Sequence, residues 1–140
     1  MIKMIKRFLQ SVIQRLSSPE ATEVLMLNQG KILEALYSAK DAKTLSDYEW
    51  RVFSQWGEDG IIQFLIREVE IKNETFIEIG AEDFTESNCR YLLESADWQG
   101  LVVDGSTENI RKLMNKPLYW RHDLQSIAIW VTAENFNTVL

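Results

Sequence analysis

Apolar residues recur at helical spacing through the first half of the chain and give way to short unbroken runs beyond residue 74. In residues 1–16, Met1, Ile5, Phe8, Leu9, Val12, Ile13 and Leu16 line one side of a first predicted helix, with basic residues between them. Ser17-Ser18-Pro19-Glu20 then breaks the pattern and also reads as a helix start, with serine at the cap, proline in the first turn and an acid next. The following helix is predicted over about 21–39, with Val24, Leu25, Leu27, Ile32, Leu33, Leu36 and Tyr37 as its apolar set. Residues 40–47 are polar and loop-like. A third helix is predicted over 55–69, opening on Gly57-Glu58-Asp59-Gly60 and carrying Ile61, Ile62, Phe64, Leu65 and Ile66.

The period then changes. Thr75-Phe76-Ile77-Glu78-Ile79-Gly80 is short, β-branched and aromatic and ends in glycine, the signature of a buried strand. Residues 88–96 predict a helix with Tyr91, Leu92 and Leu93 facing the sheet, and Gly100-Leu101-Val102-Val103-Asp104-Gly105 a second buried strand. Residues 107–114 predict the next helix, capped by Ser106 or Thr107. A third strand falls within 118–131, either at 118–121 leading to Asp123 or at 127–131, and Thr132-Ala133-Glu134-Asn135 opens a last helix. This alternation predicts an α/β fold, the N-terminal half of a doubly wound, Rossmann-like parallel sheet over 51–140, preceded by a helical extension over 1–50. Right-handed crossovers would set Gly80 and Asp104 side by side at one edge.

Composition narrows the picture. With 140 residues, 46% hydrophobic and 11% aromatic, the chain can close one modest core and is not a disordered segment. A net charge of −6 argues against nucleic acid as a partner. The charge is uneven: residues 1–16 hold Lys3, Lys6, Arg7 and Arg15 and no acid. That first helix reads either as a weak contact with an acidic membrane surface or a partner, or as a helix packed on its own domain. A single cysteine, Cys89, excludes an internal disulfide and a multi-cysteine metal site, and a single histidine, His122, argues against a histidine-rich centre. A reducing, cytoplasmic setting is expected. No window is apolar enough to span a membrane, and the N-terminus lacks the features of a signal peptide.

Ligands of parallel sheets bind outside the carboxyl ends of the strands. Glu78 sits inside the end of the first predicted strand, and Gly80 at its turn allows backbone to approach a ligand. The helix after it offers free N–H groups, and Asp104 at the end of the second strand suits ribose hydroxyls. Such features fit a dinucleotide or S-adenosylmethionine. The run Gly80-Ala81-Glu82-Asp83-Phe84-Thr85 has one glycine and two acids, where a pyrophosphate wants Gly-x-Gly-x-x-Gly. Glu82 and Asp83 would repel a pyrophosphate and tolerate a sulfonium and an ammonium, which favours S-adenosylmethionine.

Three ordered segments carry a resemblance: Phe53-Ser54-Gln55-Trp56-Gly57-Glu58-Asp59-Gly60-Ile61-Ile62, then Phe76-Ile77-Glu78-Ile79-Gly80-Ala81-Glu82-Asp83-Phe84-Thr85-Glu86-Ser87-Asn88, then Gly100-Leu101-Val102-Val103-Asp104-Gly105-Ser106. Over about residues 24–140 the chain resembles the FkbM-like methyltransferases, and more narrowly a bacterial subgroup whose loop reads Glu-Asp-Phe rather than Gly-Asp-Gly. The resemblance implies a class I S-adenosylmethionine-dependent fold and O-methylation of a sugar or another small hydroxyl substrate. It implies cofactor contacts from Glu78, Gly80, Ala81, Asp83, Asn88, Asp104 and Gly105, and places Gln55 and Asp59 at a lid or at the methionine end. Glu82 and Phe84 stand where standard methyltransferases have further loop glycines. Family members continue into further strands, one of them beside the transferred methyl, so the chain reads as truncated, with its catalytic base unassigned.

Other residues carry competing readings. His122-Asp123 is either a base with an orienting acid, with Asp123 near an adenine amino group, or a surface pair at a strand end. Cys89 at a helix start has either a lowered thiol pKa or a packing role. Trp50, Trp56, Trp98, Trp120 and Trp130 read mostly as packing residues, with Trp56 as the best functional candidate. Three functions remain in play: a methyltransferase domain, a non-catalytic fragment or interaction module, and an NAD-linked oxidoreductase. The glycine-poor loop speaks against the last.

Overall fold

The computed structural model describes residues 2–16, 18–41 and 43–139. Helix α1 (Ile2–Leu16) is followed by α2 (Pro19–Ser38), a 3-10 turn (Leu45–Tyr48) and α3 (Glu58–Glu68). The α/β part runs β1 (Thr75–Ile79), α4 (Arg90–Ala96), β2 (Gln99–Asp104), α5 (Thr107–Met114), α6 (Pro117–Arg121), β3 (Leu124–Ala128) and α7 (Phe136–Val139). The start of α2 follows the serine–proline rule: Ser18 Oγ accepts from the Ala21 N–H at 3.1 Å, and Pro19, which has no N–H to satisfy, holds the first turn. Ser106 caps α5 in the same way, accepting from the Asn109 N–H.

The three strands form one parallel sheet in the order β1-β2-β3, with Ile79 opposite Val103 and Val103 opposite Ile127. The fold is therefore mixed α/β. Phe76, Val102 and Leu124 share one face and pack with Leu92, Leu93, Trp98, Ile110, Leu113 and Leu118 from the helices and loops that cover it. Among the described residues the opposite face is largely open. Ile77, Ile79 and Ile127 are exposed there, and only Val103 between them is fully covered. A parallel sheet is normally covered on both faces, so this apolar surface is a marked feature of the fold. A second cluster joins α2 to the segment before α3, with Met26, Leu27, Leu33 and Tyr37 against Trp50, Val52, Phe53 and Tyr91.

Three local expectations are corrected. The aromatic run 118–121 is helix, because Pro117 stands at the first turn of α6, and the third strand is Leu124–Ala128, inside the expected 118–131 stretch and overlapping its second expected position at Ile127 and Ala128. Residues 55–57 lie outside α3, which begins at Glu58 after Gly57 turns with a φ of 115°. Tyr91 faces α2 rather than the sheet. Its ring meets Trp50 edge-on at 5.1 Å and lies over Gly30, where a Cβ would come within 2.4 Å of it. Leu92 and Leu93 do face the sheet core.

Candidate functional site

The loop leaving β1 has an unusual backbone. Gly80 takes a φ of 79°, Glu82 of 50° and Phe84 of 63°. Every second residue thus lies in the left-handed region, two of them without glycine's freedom, at a cost of about 1–2 kcal/mol each. Two anchors hold the turn. The Phe84 side chain is fully buried and stacks parallel to Phe76, with ring centroids 6.4 Å apart. The Glu82 N–H donates to Asp104 Oδ2 at 3.0 Å. The Gly80 N–H donates to the Val103 carbonyl and the Phe84 N–H to the Ala81 carbonyl, so of these three N–H groups Asp104 takes that of Glu82.

Asp104 ties three pieces together. Its Oδ1 also accepts from the Ser106 N–H at 2.8 Å and the Asn109 amide at 3.2 Å, so it clamps the β1 loop to the start of α5. Glu78 does the same on the other side. Its carboxylate accepts from the Ser87 hydroxyl, from the Asn88 N–H at 2.9 Å and from the Cys89 N–H at 3.2 Å, fixing the residues that lead into α4. Between these clamps lies a cleft of about 200 Å³ lined by Gln55, Glu78, Gly80, Glu82, Glu86, Ser87 and Asn88. Three carboxylates and no basic side chain face it. The site therefore favours a cation and disfavours a phosphate.

Of the expected cofactor residues, Glu78, Gly80 and Asn88 line this cleft, and Asp104 borders it through the Glu82 N–H. Ala81 does not: it is buried in the core, where its carbonyl accepts from the Phe84 N–H. Asp83 turns away to Lys116, 3.3 Å distant, and its carboxyl is held below the usual range, first by the Thr85 hydroxyl and also by the Lys116 charge. Gly105 lies against the indole of Trp130; a Cβ there would come within 2.5 Å of the ring. Trp130 is 78% exposed and is fixed at the carboxyl edge of the sheet. The Ile129 N–H donates to the Asp104 carbonyl, and the Asn135 amide donates to the Trp130 carbonyl. The sequence favours Trp56 for its place in the Gln55–Gly60 motif, whereas the structure sets Trp130 just beyond the end of β3 at the cleft side of the sheet.

The upstream motif divides. Gln55 reaches the cleft, but Asp59 is buried and works on the backbone, which corrects its expected place at a lid or methionine end. Its Oδ2 accepts from three consecutive N–H groups, Val52 at 2.6 Å, Phe53 at 2.8 Å and Ser54 at 3.0 Å, while its own N–H donates to Ser54 Oγ. Oδ1 is buried without a partner. Asp59 thereby shapes the arm that carries Gln55. Beside the cleft, and sharing Glu86 with it, runs a groove of about 590 Å³ between α2 and the 51–54 segment. Arg90 forms its floor, bonded to Glu23, Glu94 and the Thr85 carbonyl and stacked 4.0 Å over the Phe53 ring.

The remaining candidates are placed elsewhere. The Asp123 carbonyl accepts from the Gly100 N–H at the start of β2, so Asp123 precedes β3 and lies at the opposite end of the sheet. His122 pairs there with Asp97 at 3.1 Å, which removes the pair from any adenine or base role in the cleft. The Cys89 thiol is pushed up to about 12, first by burial and then by the Glu78 charge beside it, the reverse of activation at a helix start. Trp50 and Trp98 are buried, whereas Trp56 and Trp120 are exposed, so packing accounts for only two of the five tryptophans. The chain matches no protein-family model, no curated protein and no solved structure. Geometry and chemistry alone therefore carry the functional reading.

Proposed function

We propose that this chain is a cofactor-holding Rossmann-like methyltransferase domain, resembling the FkbM-like family, and that it binds S-adenosylmethionine at the carboxyl edge of β1 and β2. The acid-lined cleft beside the left-handed loop at 80, 82 and 84 is the observation that carries this reading. The chemistry supplied by S-adenosylmethionine, when bound, is an electrophilic methyl on a sulfonium centre. The residues suit its cationic end: Glu78, Glu82 and Glu86 offset positive charge, and Gln55 and Asn88 offer amide hydrogen bonds. At about 200 Å³ the cleft is below the usual range for a whole small ligand, so it accounts for the methionyl part. Asp104 has about four lone-pair positions, and three protein donors use three of them, leaving one for a ribose hydroxyl. The exposed face of Trp130 is then the stacking surface for the base. In this reading the groove over Arg90 receives the acceptor, a saccharide or other small hydroxyl compound, next to Glu86.

A second reading is favoured by one specific observation. Glu78 and Asp104 are both engaged by protein donors, and one sheet face is largely open among the described residues, as in an interaction module that keeps the fold without the reaction. Calorimetric titration with S-adenosylmethionine, S-adenosylhomocysteine and NAD separates the possibilities. The proposal expects binding of the first two, weakened at least tenfold by Glu82→Lys. Binding of NAD alone would overturn it, and binding of none supports the interaction module.

A further inference from the structure

We propose that α1 is a surface anchor that lies on anionic lipid bilayers. This inference does not rest on the cofactor reading. Met4, Ile5, Phe8 and Leu9 lie on one side of the helix and are between 51% and 72% exposed. A helix that packed on its own domain would bury that side, yet among residues 4–14, whose burial is described, Val12 alone is half-buried and the rest are exposed. Lys6, Arg7, Gln10 and Gln14 occupy the other side at helical spacing, so over residues 4–14 the apolar and basic arcs are segregated, and Arg15 follows at the end of the helix.

Charge selects the occupant. Residues 1–16 contain four basic residues and no acid, in a chain of net charge −6. The acid excess therefore sits entirely in the body, and α1 is the part of the molecule that complements an anionic surface. An anionic bilayer meets both arcs at once, with apolar side chains entering the headgroup–acyl boundary and Lys6 and Arg7 reaching back to phosphates. Pairing two copies of α1 face to face would instead bring two basic clusters together. At 15 residues α1 is about 22 Å long, too short to span, and no helix among the described residues is long and apolar enough to cross a membrane. The Ser18 cap and Pro19 then start a new helix, so α1 can lie flat while the body stays in water.

The test is co-sedimentation of the full chain with vesicles of phosphatidylcholine alone and of phosphatidylcholine mixed with phosphatidylglycerol, at low and high salt. The expected result is at least about tenfold stronger partition onto the anionic vesicles, lost as salt rises. Phe8→Glu and Leu9→Glu should abolish it, and Lys6→Glu with Arg7→Glu should remove the preference for anionic lipid. These side chains lie outside both core clusters, so tryptophan fluorescence of each variant should match the parent. Equal partition onto both vesicle types, or unchanged partition in Phe8→Glu, overturns the proposal. So does sedimentation showing a dimer that Phe8→Glu dissociates, with no vesicle binding by the parent.

Discussion

Replacing Asp59 tests whether one buried carboxylate shapes the arm that carries Gln55 into the cleft. In Asp59→Ala the N–H groups of Val52, Phe53 and Ser54 lose their only side-chain acceptor in a place that is 1% exposed. An orphaned buried donor costs about 1–3 kcal/mol, and the space left by the carboxyl admits water to some of the three. The expected loss is about 3–5 kcal/mol, a large share of the roughly 5–15 kcal/mol that holds a domain together. Asp59→Asn keeps one carbonyl oxygen where Oδ2 stands. Its amide then occupies the Oδ1 position, which has no partner, so the expected loss falls to about 1–2 kcal/mol. Ser54→Ala removes only the acceptor of the Asp59 N–H, for about 1 kcal/mol.

Urea unfolding followed by tryptophan fluorescence reads all three, because Trp50 belongs to the cluster that the arm completes. The ranking Ala above Asn above Ser54→Ala is the substance of the prediction. An Asp59→Ala protein within about 1 kcal/mol of the parent would show that the three N–H groups find other partners and that the arm does not depend on Asp59. A functional readout adds to this. Gln55→Ala should leave stability unchanged and still weaken S-adenosylmethionine binding, whereas Asp59→Asn should weaken both.

The other predictions are simpler. Gly80→Ala meets no atom within 4 Å, so only the φ of 79° opposes it, and urea unfolding should show a loss of about 1–2 kcal/mol. Gly60→Ala would put a Cβ 2.0 Å from the Tyr48 carbonyl oxygen and 2.7 Å from the Trp50 nitrogen, both backbone atoms, and the protein should fail to fold by circular dichroism. Folded Cys89 should resist iodoacetamide at pH 8 and react fully in urea, because burial holds its thiol near 12. Its folded pKa lies above the ordinary 9.0, so its contribution to stability is complete below pH 9 and is lost as pH rises towards 12; Tyr91, raised by burial and Glu34, acts in the same direction. Urea midpoints should therefore fall between pH 8 and pH 10.5, less steeply in Cys89→Ala.

Much of the sheet was legible because its residues obey one rule at a time. Strands β1 and β2 are short apolar runs ending in glycine or acid, and α5 begins and ends where Ser106 and the apolar spacing predict. The third strand falls within the expected 118–131 stretch, but its ends were missed because two rules competed. Leu118-Tyr119-Trp120 has strand-like composition, but Pro117 fits a first helical turn, and the helix won while Trp120 stayed exposed. Placing the strand at 118–121 is what would put Asp123 at the carboxyl end of the sheet. The candidate site was half legible for a different reason. Residue types predicted acids near Gly80, but not which carboxylates already hold backbone. Glu78, Asp59 and Asp104 each spend most of their acceptors on N–H groups far away in sequence or hidden in loops.

The loop after β1 joins the site to the core, and this explains why it lacks glycine where its backbone would welcome it. At residue 84 a glycine would relieve a left-handed φ of 63°, but it would also remove a fully buried ring that stacks on Phe76 beneath the sheet. At residue 82 a glycine would relieve a φ of 50° and keep the N–H bond to Asp104, since that bond comes from the backbone. It would cost only the carboxylate in the cleft. Glu82→Gly should therefore be neutral or slightly stabilising, by up to about 1 kcal/mol after glycine's extra freedom in the unfolded chain is counted. It should weaken S-adenosylmethionine binding at the same time. Strain retained at a residue whose side chain supports no packing is what the proposed cation-binding role of Glu82 predicts. If Glu82→Gly instead destabilised the protein and left binding unchanged, residue 82 would belong to the fold, and the cation-binding role of the cleft would lose its main support.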